Sequence, residues 1–187
     1  MPSKMEAQKA VETLLTWIGE NPQREGIRDT PQRVIDAYQE FFSGYQEDPQ
    51  KILKEGFSEI DGYHDIVLLE KTPFSSHCEH HMIPFFGHAT IAYEPNEKVV
   101  GFSRLIRVLE VYSRRLQVQE RLTEQVAKAI WETLKPKGIA VVLEAQHLCM
   151  SMRGIKQTGV LVKTQSFYGS FAEQDMQEKL FRMRQSM

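Results

Sequence analysis

Apolar positions recur at helical spacing through the first forty residues and at strand spacing beyond residue 63. Val11, Leu14, Leu15 and Ile18 line one side of a helix that Asn21-Pro22 ends. Thr30 suits the N-cap of a second helix and Pro31 its first position. Val34, Ile35, Tyr38, Phe41 and Phe42 form the apolar face, and Gly44 the stop. Between Tyr45 and Tyr63 the chain is polar and broken by Pro49, Gly56 and Gly62, the pattern of a linker. His64–Glu70 has strand length and is closed by Thr72-Pro73. Phe85–Tyr93 alternates as a second strand before the turn Glu94-Pro95-Asn96-Glu97.

Two helices follow. Ser103 is placed to cap the first, which carries Leu105, Ile106, Leu109 and Tyr112. In the second, Val118, Leu122, Val126, Ile130 and Leu134 repeat every four residues until Pro136 and Gly138. Ile139–Ala145 is apolar on both faces, as a central strand is, and Val160–Phe167 is a fourth strand. The charged tail Ala172–Arg184 reads as a helix. The order predicts an α+β protein: an antiparallel β-β-α-α-β-β sheet with helices on one face, preceded by N-terminal helices. The change of texture separates residues 1–62, a helical region, from 63–187.

With 41% hydrophobic and 26% charged residues, a chain of 187 residues can bury a core without disulfide staples. A net charge of −2 supplies no basic field for nucleic acid, so an anionic ligand needs a local cluster. The first twenty residues mix Glu and Lys among the apolar ones, and no run of about 18 apolar residues occurs. Neither a signal-peptide core nor a membrane span is predicted. Two cysteines allow a single disulfide at most, which favours a reducing cytoplasm.

The chemistry is concentrated in Ser75-Ser76-His77-Cys78-Glu79-His80-His81, between the first two strands. The second cysteine sits in Gln146-His147-Leu148-Cys149, at the end of the third strand. There i and i+2 share a face, so His147 and Cys149 are expected to point into one site. Two thiolates and an imidazole with an open fourth position form a catalytic zinc set, and thiolates select zinc over magnesium or calcium. Spacing alone is equally compatible with a structural zinc or with two apolar buried cysteines. The spare histidines favour catalysis, because a closed structural site has no use for an extra acid or base.

Arg104 and Arg107 share one side of their helix near its positive end, with Arg153 just past Cys149 and Arg33 in the first turn of the second helix. Together they suggest an anion site, although each alone is also what a solvated helix carries. Gln119-Glu120 open the long helix. They suit reading a purine edge, or merely a helix start that favours an acidic residue.

Four segments in combination resemble GTP cyclohydrolase I: Cys78-Glu79-His80-His81, Gly101–Arg107 (GFSRLIR), Ser113–Leu122 (SRRLQVQERL) and His147–Gly154 (HLCMSMRG). Their order and spacing follow the family from about Thr30 to Phe171. The resemblance implies the tunnelling fold (T-fold), with a catalytic domain over 63–187 including a C-terminal helix. Sheets would close into a barrel by oligomerisation, as a homodecamer of two stacked pentamers with interfacial active sites.

It further implies Cys78, His81 and Cys149 as Zn2+ ligands, and His80, His147 and Ser103 as catalytic. Gln119 and Glu120 would stand at the guanine and its ribose. Arg104, Arg107, Arg153 and an adjacent subunit's Arg33 would surround the triphosphate and sugar. The implied reaction converts GTP and water to 7,8-dihydroneopterin triphosphate and formate. The alternatives are another T-fold enzyme working on a pterin or deazaguanine, and an inactive relative that binds GTP or a pterin. A P-loop GTPase is excluded, since no G-x-x-x-x-G-K-[ST] occurs. Two departures stand out. Arg replaces the family's usual Lys at 104, a planar fork for a point charge, and 154–171 is less rich in Ser and Thr.

Overall fold

The computed structural model describes residues 1–54 and 63–185. The chain divides into two compact units, Met1–Ser43 and Gly44–Met187. In the first, α1 (Lys4–Trp17) starts at a capping box in which Ser3 and Glu6 satisfy each other's backbone N–H groups. It packs on α2 (Thr30–Phe41), with Lys4 and Asp36 paired at 2.7 Å. Thr30 is the first residue of α2 rather than its cap. Asp29 holds the cap position without a side-chain bond to the helix backbone, and its carboxylate instead meets the Arg33 side chain at 3.2 Å.

The second unit opens with structure where a linker was expected. A 3-10 turn (Ser43–Gln46) leads to α3 (Pro49–Leu53), whose Leu53 is buried; Gly56 and Gly62 lie outside the described residues. The segment is held because a Cβ on Gly44 would meet the Val111 carbonyl at 2.0 Å, so only glycine allows the approach. Arg115 also donates to Gly44 O and Glu47 O while lying over the Tyr112 ring.

The described residues then form β1 (Val67–Cys78), β2 (Pro84–Glu94), α4 (Phe102–Ser113), β3 (Leu116–Gln117), α5 (Gln119–Leu134), β4 (Gly138–His147), α6 (Leu148–Ser151), β5 (Val162–Gly169) and α7 (Gln174–Gln185). The sheet order is β3-β1-β2-β4-β5. β1 runs straight through Thr72-Pro73, which was expected to end it. A register shift between Leu69 and Thr72, with Lys71 in the left-handed region (φ 53°), absorbs the irregularity. Proline is tolerated because β3 covers β1 only at His77 and Cys78, leaving an edge at Pro73.

β4 lies between β2 and β5, as its two apolar faces predict. One sheet face (Phe85, Ala89, Ile91, Tyr93, Ile139, Val141, Leu143) packs under α4 and α5. Leu122, Val126 and Ile130 of α5 are fully buried, each contributing about 1.5–3 kcal/mol by leaving water. α7 lies on the opposite face, with Leu180 against Ala92, Ala140 and Phe171. This is the α+β arrangement expected of a T-fold unit.

Candidate metal centre and active site

The β1–β2 hairpin carries the two adjacent histidines. Cys78 N–H donates to Ile83 O at 2.9 Å and Met82 N–H to Cys78 O at 2.8 Å. Met82 itself is left-handed (φ 55°), a conformation costing about 1–2 kcal/mol that closes the loop tightly. β3 then pairs parallel with β1 at His77–Leu116 and Cys78–Gln117, and Glu79 N–H donates to Gln117 O at 2.9 Å. This two-residue strand, absent from the sequence pattern, brings the start of α5, with Gln119 and Glu120, alongside Cys78.

Cys149 does not extend β4. His147 is the last strand residue, and Cys149 sits in the single helical turn α6, so the i, i+2 argument does not apply. The turn nevertheless delivers its thiol. Sγ of Cys78, Sγ of Cys149 and a ring nitrogen of His81 lie within 4.8 Å of one another. Cys78 Sγ is 3.8 Å from His81 Nδ1, against roughly 3.6–3.8 Å expected between ligands on a tetrahedral zinc. The donor set and spacing fit zinc. His80 Nδ1 approaches Cys78 Sγ at 3.7 Å but is not a member of the three-ligand group. Burial, reinforced by the Cys78 thiol beside it, pushes the Cys149 thiol above its ordinary value.

Around this centre, Arg153 Nη1 lies 3.0 Å from His81 Nε2. An arginine only donates, so Nε2 accepts and Nδ1 bears the ring proton in this arrangement. His147 is half-buried, and desolvation lowers its pKa against an opposing pull from the Glu120 carboxylate. Its ring stacks on Phe85, 4.5 Å between centroids and 3° between planes, and its Nε2 lies 2.8 Å from Gln119 Oε1.

The arginines of α4 are placed differently. Arg104 donates to Ile52 O at 2.8 Å, and Arg107 pairs with Glu47 at 2.7 Å and Glu110 at 2.8 Å, so both clamp the α3 segment. Ser103 is exposed in the first turn of α4. It does not cap the helix; Gly101 occupies that position. Arg33 lies in the unit of residues 1–43.

Residue-type patterns missed a contact that holds the Cys78–His81 loop. Arg121 pairs with Glu79 and also bonds Gln117 Oε1 and Leu116 O, tying the Cys78-Glu79-His80-His81 loop to α5. Arg121 is first among the causes that hold the Glu79 carboxyl below the usual range. With both side chains over 30% exposed, the pair is screened by water and adds little to the fold. Its effect is expected in the loop. Arg121→Met should weaken metal retention ~10–100-fold in a chelator competition while leaving the thermal midpoint within a few degrees.

The GTP cyclohydrolase I family model matches residues 7–185. The chain belongs to the GTP cyclohydrolase I family. It is 51% identical to GTP cyclohydrolase 1 of Sinorhizobium fredii, over 96% of this chain and 88% of that one. Identity is 50% to the Bartonella quintana enzyme of the same name (97% and 88%) and 49% to that of Brucella abortus (96% and 84%). Within this family the chain is an enzyme. No helix among its described residues is long and apolar enough to cross a membrane.

Proposed function

We propose that this cyclohydrolase converts GTP and water to 7,8-dihydroneopterin triphosphate and formate at a zinc centre held by Cys78, His81 and Cys149. The observation that carries the reading is the convergence of two thiols and an imidazole within 4.8 Å, beside a second, half-buried histidine. Zinc bound there would supply an acidified water for attack on purine C8.

The chain's own residues do the rest. Glu120 accepts from the guanine ring N–H and amino group, and Gln119 stands behind it with its amide hydrogens bonded within the protein. His147 gives a proton to N7 as C8 is attacked, and a second hydrolytic step releases C8 as formate. His80 and Ser103 move protons as the ribose opens, rearranges and closes the pterin ring. Arg104, Arg107, Arg153 and the Arg33 side chain of an adjacent subunit hold the triphosphate and sugar. Were His81 to hold the cation through Nδ1, its ring proton would sit on Nε2, the Arg153 contact would be lost and that guanidinium would be free to meet an anion.

The reading includes a homodecamer of two stacked pentamers, located in a reducing cytoplasm, with sites at subunit interfaces. Its support is twofold. No residue of α1 is fully buried, and Leu14, Trp17 and Ile18 are 59–81% exposed, an apolar surface of the kind partners cover. Both cysteines are free thiols.

Incubation with GTP, with and without a zinc chelator, tests the reading. Formate and the fluorescent oxidised pterin should appear together, vanish on chelation and return with zinc. Formate without pterin would mean ring opening without closure, and neither product at full zinc loading would mean an inactive binding relative.

A further inference from the structure

The hydrogen bonds around Gln119 can be given a direction atom by atom. Its Nε2 lies 3.1 Å from Leu143 O, 3.0 Å from Val162 O and 3.1 Å from Thr164 Oγ1. Two of these are main-chain carbonyls, which only accept, so the amide nitrogen belongs there and the carbonyl oxygen opposite. The threonines agree. Thr123 Oγ1 donates to Gln119 O at 2.8 Å and so must accept from Thr164 Oγ1 at 2.6 Å. The Thr164 hydroxyl proton is thereby engaged, and its oxygen is left to accept from Gln119. Every N–H of the Gln119 side chain is taken up by the protein, and the residue is 1% exposed.

Gln119 Oε1 therefore faces His147 Nε2, at 2.8 Å, purely as an acceptor. Nε2 must carry a hydrogen. The ring has little other freedom, because Phe85, 0% exposed, stacks against it. Turning the ring over would bring a carbon to Oε1 in place of the N–H.

We infer that Gln119 is a positioning residue that holds His147 as the Nε2–H tautomer and makes Nδ1 the nitrogen that exchanges protons with the substrate. In the neutral ring the lone pair sits on Nδ1. In the imidazolium the proton leaves from Nδ1 while Nε2–H stays bonded to Gln119. The catalytic consequence rests on the role proposed above for His147; the tautomer does not. The orienting groups come from β4, β5 and α5, so the sheet and helix core sets the ring's protonation pattern rather than the mobile end of a side chain.

Solid-state nitrogen-15 spectra of the full-length protein with labelled histidine test this, with His147 assigned by difference against His147→Asn. The expected wild-type result is a protonated Nε2 and a bare Nδ1 for His147. Gln119→Met, of similar length but without the acceptor, should mix the tautomers and lower kcat ~10–100-fold with KM unchanged. Thr164→Ser, which keeps the hydroxyl, should retain the wild-type spectrum and rate. A proton on Nδ1 in the wild type would overturn the inference without need of any variant. A Gln119→Met protein with unchanged kcat and raised KM would overturn it too, by making Gln119 a substrate contact. If the wild type shows the expected tautomer but turns over no GTP, the proposed function fails and the tautomer assignment stands.

Discussion

Cys149→Ala is expected to give a folded protein that retains no zinc after dialysis and turns over GTP at least ~10³-fold more slowly, since Lewis-acid activation is worth several kcal/mol. The fold should survive because Cys149 is only half-buried and sits in the four-residue turn α6 at the end of β4. Trimming one sulfur there opens no core cavity. The metal should be lost because His81 and Cys78 alone offer two ligands where a catalytic zinc takes three from the protein. Metal content by elemental analysis, read beside the thermal midpoint, checks both halves. A variant that keeps stoichiometric zinc would remove Cys149 from the ligand set, whatever its activity.

His147→Asn separates the metal from the proton. It should keep wild-type zinc content, because His147 bonds Gln119 and stacks on Phe85 rather than joining the three-ligand group. Its kcat should fall about 10²–10⁴-fold, the usual contribution of one positioned general acid. The same measurements on Cys149→Ala give the opposite pattern in metal content, so the two variants distinguish ligand from proton carrier. Turnover that persists in His147→Asn would move the N7 protonation to another group, His80 being the nearest in role.

Much of this was legible in one dimension. The four-residue repeat from Leu122 to Ile130 specifies a buried helical face, and all three of its central residues are fully buried. The alternation from Phe85 to Tyr93 gave β2 to within one residue at each end. Breakers were less dependable. Pro73 lies inside β1 because that strand is an edge at this point, and edge status depends on what a distant segment leaves uncovered. The same applies to residues 45–53, polar in pattern, yet structured because Gly44 and Arg115 dock them to α4 and the segment that follows it.

At the site, residue type marked the side chains that could hold a metal. A cysteine and two histidines within four positions, and a second cysteine with its own histidine, announce their chemistry without coordinates. How those donors meet was not announced. Cys149 reaches the centre through a helical turn instead of strand alternation, and β3 aligns the loop with α5 through two residues too short to leave a pattern.

By itself, then, the sequence determined the elements with strong periodicity, the clustering of residues able to hold a metal and the family, because these depend on residue types at fixed local spacings. The tertiary structure alone decided which groups are engaged and in which sense. Arg107 meets Glu47 from sixty residues away, and Gln119 is oriented by Leu143, Val162 and Thr164, which lie 24, 43 and 45 residues further along the chain. A hydrogen bond's direction follows from what stands at its other end, and that is set by how distant segments pack.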